Sequence, residues 1–134
     1  MADTVDTKTV FGGTRKRVYM FTNISDGTGE SAVTKIDRSS LTGLNGLAPT
    51  YLIIEEIQWS IQGFASVRLF WDDGTDDEIA MLAPGNGVAS WVAVGGLKHP
   101  QVPGDATEGD LLLTTNGGAT GSTYTITIVV RLKD

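Results

Sequence analysis

"TYTITIVVRL", residues 123–132, alternates strictly. Tyr124, Ile126, Ile128, Val130 and Leu132 fall on one side of an extended chain, and Thr125, Thr127 and Arg131 on the other. Successive side chains of a strand point to opposite faces, and β-branched and aromatic residues suit that pleated surface. The stretch therefore predicts a strand with one buried side. Such a strand needs partners within a sheet and a second layer over its apolar face.

The rest of the chain supplies candidates for both. "YLIIEEIQWSI" (51–61) sets Tyr51, Ile53, Ile57, Trp59 and Ile61 against Glu56, Gln58 and Ser60. By the same parity Glu55 falls on the apolar side, where an unpaired carboxylate is costly. That reads as a β-bulge at the Glu55–Glu56 pair or a position at the rim, ahead of a catalytic acid. Strand-like runs also occur at 17–24, 31–37, 66–72, 77–83, 89–94 and 110–115, separated by turn formers at 25–29, 43–49, 83–87, 99–105 and 116–122. "DRSSLTGL" (37–44) has room for one helical turn. About eight short, regularly spaced strands predict an all-β fold, a single antiparallel β-sandwich of jelly-roll-like form. Residues 1–16 carry little apolar content and read as an extended N-terminal arm, leaving 17–134 as the sandwich domain.

The 134 residues suit one domain, able to bury roughly two-thirds of its unfolded surface. There is no cysteine, so neither disulfides nor thiolate metal sites arise. The N-terminus "MADTVDTKTV" lacks the basic start and apolar run of a leader, and no apolar stretch reaches the ~18 residues of a membrane-spanning helix. A soluble protein used without secretion is expected, with no membrane partner.

The formal charge of −6 is unevenly spread. Residues 1–38 hold six basic groups against five acidic ones; residues 39–130 hold two against ten. Nucleic-acid binding needs clustered cations on a basic body, so this balance argues against it. The exception is "TRKR" (14–17), where Arg15, Lys16 and Arg17 form either a solvated segment or a docking contact for an acidic surface.

"WDDGTDDE" (71–78) is the densest group of acids. An EF-hand loop needs a glutamate at its twelfth position, and counting from Asp72 that position is Ala83. Asp72, Asp76 and Glu78 could still converge on calcium as a non-standard site. The plainer reading is a hairpin, with Gly74 at the turn between two strands. The single histidine, His99, precedes a proline in a loop, and no Gly-x-Ser-x-Gly elbow accompanies it. "GGTRKR" (12–17) lacks the spacing of a phosphate loop. No cofactor is called for. Trp59, Trp71 and Trp91 sit in strand-like runs, where core packing competes with a sugar-stacking role.

At "RVYMFTNISDGTGESAVTKIDRSSL" (17–41), "YLIIEEIQWSI" (51–61), "SVRLFWD" (66–72) and "GDLLLTT…TYTITIVVRL" (109–132), the chain resembles small β-sandwich virion proteins of tailed bacteriophages. The likeness rests on the order of elements: an aromatic first strand, a "DGTGES" turn, a strand carrying Arg and ending in Trp-Asp, and a Thr-rich last strand. It implies a capsid decoration (cement) protein, or else a neck or tail component. The implied protein is made in the host cytoplasm and resident on the virion. It is a homo-oligomer in the assembly and not an enzyme, and the major capsid protein or other virion proteins are its partners. The rival from another class is a carbohydrate-binding β-sandwich.

Overall fold

The computed structural model describes residues 3–13, 15–43, 46–73, 75–98 and 109–133. Ten strands form among them: β1 (Thr4–Gly12), β2 (Lys16–Asp26), β3 (Val33–Ile36), β4 (Tyr51–Gln62), β5 (Ser66–Trp71), β6 (Asp77–Leu82), β7 (Gly85–Ser90), β8 (Leu97–Lys98), β9 (Leu111–Asn116) and β10 (Thr120–Lys133). One sheet has the order β1-β2-β10-β4-β7, with β8 also on β4; the other has the order β3-β9-β5-β6. All pairings are antiparallel. The fold is an all-β sandwich of jelly-roll type.

The alternation of residues 123–132 fixes the centre of the larger sheet. Tyr124, Ile126, Ile128, Val130 and Leu132 are all buried, none more than 7% exposed. They meet Phe21, Ile57 and Ile61 beside them and Val67, Leu69, Trp71, Leu111 and Leu113 from the facing sheet. Residues 27–32 and 117–119 cross from one sheet to the other. Glu30 and Thr115 join the crossings, N–H of each to an oxygen of the other. Of the turn formers at 116–122, residues 117–119 are thus a link between layers, from β9 of one sheet to β10 of the other.

Four strand readings change. Residues 4–12 are strand β1 on the chain's own sheet, and the boundary drawn at residue 16 falls at the start of β2. In β4 a register shift leaves Glu55 as the extra residue, with Val129 opposite Glu56 and Val130 opposite Ile54. The bulge turns Glu55 off the core face and brings Leu52 and Ile54 inward, so Tyr51 and Ile53 lie on the outer face instead of sharing one with Ile57. The turn read at 83–87 is largely strand, because Gly85 and Gly87 pair with Ile61 and Trp59. Gly87 is needed there: a Cβ would collide with the Trp59 indole. Residues 89–94 leave the strand after Ser90, and Val92–Val94 forms a 3-10 turn closed by Gly95 at φ 83°. The turn expected at 37–44 is a 3-10 turn at Arg38–Ser40, capped by Asp37, whose side chain accepts from Ser39 N–H. His99, Gly74 and the turn at 99–105 lie outside the described residues.

Candidate interaction surfaces

The start of β1 is tied down by chemistry that periodicity does not carry. Asp3 accepts hydrogen bonds from Asn23 Nδ2 (3.0 Å), Ser25 Oγ (3.1 Å) and the N–H groups of Asp26 and Gly29 (both 3.1 Å). Burial opposes its ionisation, but those donors outweigh it and hold the carboxyl below its ordinary value. Beneath it lies a buried polar centre. Glu30 is ion-paired with Lys35 and accepts from Asn23 Nδ2 (2.7 Å) and from the Tyr124 hydroxyl. Burial, and then the Glu30 carboxylate, push the Tyr124 pKa upward, so the hydroxyl stays a donor. The "DGTGES" turn therefore wraps a structural ion pair.

At the opposite end of the larger sheet the cations assemble. Lys16 pairs with Arg131, Arg131 with Ile53, and Ile53 with Lys98, which forms one row across β2, β10, β4 and β8. Directly opposed residues share a face, here the outer one, and Lys133 follows two residues beyond Arg131. Lys98 Nζ sits 4.5 Å from the Tyr51 ring centre, and Lys16 reaches Glu55 at 3.1 Å. Lys98, Arg131 and Lys133 border a hollow of about 390 Å3 floored by Ile53, Gly95 and Gly96. Arg131 Nη2 donates to Gly95 O at 2.8 Å. Arg15 and Arg17 stand at the β1–β2 corner, with Arg17 Nε donating to Gly13 O at 3.2 Å.

Of the residues singled out in the sequence, Lys16 joins this row. Arg17 pairs with Val130 on the other face, and Arg15 gives its carbonyl to Leu132 N–H. Lys98, Arg131 and Lys133 were missed, because only the cross-strand register brings them beside Lys16.

The densest group of acids belongs to the other sheet, while Asp6, Asp26, Glu55 and Glu56 stay on the larger one. "WDDGTDDE" lies between β5 and β6, which pair as a hairpin. The calcium candidates do not converge. Glu78 is ion-paired with Arg68, and its carboxyl is held low chiefly by that hydrogen bond. Asp76 accepts from Asp73 N–H at 3.2 Å, and Asp72 bonds through its backbone to Asp110 and Gly109. Among the described residues no three acids or histidines could share a metal ion. Asp110 itself is buried, and burial pushes its carboxyl up to about 6 against the Arg38 N–H that it accepts.

A second hollow, about 420 Å3, lies mid-sheet and is lined by Gln58, Trp59, Ser60, Asn86, Gly87, Val88, Thr125 and Thr127, with no charged group. Trp71 is core, and Trp59 and Trp91 pack against the core from its edge.

No family model matches the chain, and no curated protein matches it. Its fold is similar to that of a cupin domain from Bordetella pertussis, at 10% identity and TM-score 0.42, covering 100% of this chain and 98% of that one. It is similar to a mutant of the family 29 carbohydrate-binding module CBM29-2, at 8% identity and TM-score 0.36, covering 98% and 76%. It is also similar to hydroxypropylphosphonic acid epoxidase from S. wedmorenis, at 11% identity and TM-score 0.29, covering 85% and 42%. That last likeness corrects the expectation that the chain is not an enzyme. An epoxidase is among the proteins of similar fold. At such identities only the fold is shared, and no residue role is carried over.

Proposed function

We propose that the chain is a structural protein of a tailed-phage virion, a decoration protein that binds the major capsid protein shell through the cationic end of its larger sheet. The observation that carries this reading is the gathering of Arg15, Lys16, Arg17, Lys98, Arg131 and Lys133, six of the chain's ten cations, at one end of a protein of net charge −6. Three of them, Lys98, Arg131 and Lys133, border one open hollow where an acidic surface can dock, and Lys16 continues their row on the same face, paired with Glu55. The order of sequence elements shared with small virion sandwiches supports the same reading; none of the three structures compared above is a virion protein. Many copies on one shell would convert weak single contacts into firm retention.

Co-sedimentation with heads assembled without this chain tests the proposal. The wild-type chain should pellet with heads, less at high salt, because exposed charge contacts are screened. Reversing Lys16, Lys98 and Arg131 together to Glu should weaken retention about tenfold or more. Equal retention of the triple variant would refute the docking face. Retention on necks or tails instead of heads would move the protein along the particle.

The uncharged mid-sheet hollow favours a second reading, a carbohydrate-binding module, since its amide and hydroxyl side chains suit neutral polyols. Glycan binding lost in Gln58→Ala and kept in the triple charge reversal would select it.

A further inference from the structure

β1 is nine residues long, every one of them exposed, and among the described residues it pairs only with β2. Thr7 N–H is taken by the Asp6 side chain at 3.0 Å. Thr7, and with it Val5 and Thr9, therefore turns its backbone groups to the open edge, because strand residues alternate in the side to which they bond. Natural edges are usually blunted by proline, inward charges or short length. β1 has no proline, and its one register shift comes late, between Thr9 and Phe11. Val5, Val10 and Phe11 are exposed along it.

We propose that this edge pairs with β1 of a second copy of the chain, antiparallel, about a two-fold axis perpendicular to the sheet and midway between the two Thr7 residues. The charge pattern selects that register. With Thr7 opposite Thr7 of the second copy, Asp6 faces Lys8 of the second copy and Lys8 faces Asp6 of the second copy, two opposite-charge pairs on the outer face. Val5 meets Thr9 and Thr4 meets Val10 in the same register. Centring the axis on Asp6 sets that acid against its own copy, and centring it on Lys8 opposes two lysines; like charges directly across a ladder destabilise it. The Thr7 pair exchanges backbone hydrogen bonds, which places Asp6 and Lys8 in the closer, non-hydrogen-bonded pairs, where side chains interact best. Asp6 releases the Thr7 N–H to the incoming strand and turns to the lysine. The result is an isologous dimer with one sheet running through two sandwiches.

Sedimentation equilibrium of the full chain over a concentration series tests this without any particle. A monomer–dimer equilibrium is expected. Lys8→Asp, on an exposed side chain, should raise the dissociation constant about tenfold or more, because both pairs become repulsive. The exchange Asp6→Lys with Lys8→Asp restores the complementarity and should return the constant to near its wild-type value. A chain monomeric throughout the series, a Lys8→Asp variant that dimerises like the wild type, or an exchange that fails to restore dimerisation would each overturn the proposal. Binding to heads by a monomeric chain would leave the docking face intact, so the two readings fail separately.

Discussion

β10 and β1 lie in the same sheet with only β2 between them, yet they are opposite kinds of strand. β10 has neighbours on both sides and a facing sheet beneath it, and its side chains alternate between core and outer face. Among the described residues β1 has one neighbour, and none of its own residues is buried. The first is held by apolar burial across the sandwich. The second is held by its ladder to β2 and by the Asp3 carboxylate in the 25–29 loop. A strand can thus be regular without contributing to the core, and its open side then becomes available for contact with other molecules.

The largest effect should come from the buried ion pair under the crossing loops. Lys35→Met leaves Glu30 charged and unpaired, and should cost about 3–5 kcal/mol in urea unfolding. A loss below about 1 kcal/mol would mean that the hydroxyl of Tyr124 and the amide of Asn23 suffice for Glu30.

Next is the direct contrast of the two strands. Ile128→Ala in β10 should cost about 2–5 kcal/mol, since it empties a fully buried site. Thr7→Ala in β1 should change stability by no more than about 0.5 kcal/mol. Equal losses would break the comparison.

Smaller and more local is the anchor. Asp3→Asn should speed amide exchange along β1 while leaving the protection of β10 unchanged. The folded carboxyl is held below its ordinary 3.8, so its contribution is complete above that value and is lost as pH falls through the lower folded one. Protection of β1 should fall with it in acid.

Asp110 has the opposite sign. Its folded pKa of about 6 exceeds the ordinary 3.8, so the folded state binds more protons between those values. Protonation of Asp110 favours folding as pH falls from 6 toward 3.8, and that contribution is lost as pH rises through 6. Thermal midpoints measured across that window should show this slope in the wild type and lack it in Asp110→Asn, which keeps an acceptor for Arg38 N–H.

The contrast between strands also marks how far the sequence could be read. Residues 123–132 announce themselves because one side of β10 is buried along its length. Residues 4–12 read as an arm because "TVDTKTVFG" has no buried side to impose a period. β7 was misread at Gly85 and Gly87, where the constraint is close approach of Trp59 and not strand propensity. Glu55 announced a bulge by falling on the wrong parity, and its partner Lys16 came only with the fold. The cationic row was half legible: "TRKR" is a visible cluster, but Arg131 and Lys98 join it through strand register, which depends on the pairing of distant segments.

In the proposed function the sandwich meets an acidic shell with the outer face bearing Lys16, Arg131 and Lys98. An electron cryomicroscopy reconstruction of the intact particle tests it most directly. The account predicts density for this chain on the outside of the head, with that face and the β1–β2 corner against acidic residues of the major capsid protein. Finding the chain absent from the particle, or mounted with the cationic row toward solvent, would contradict it.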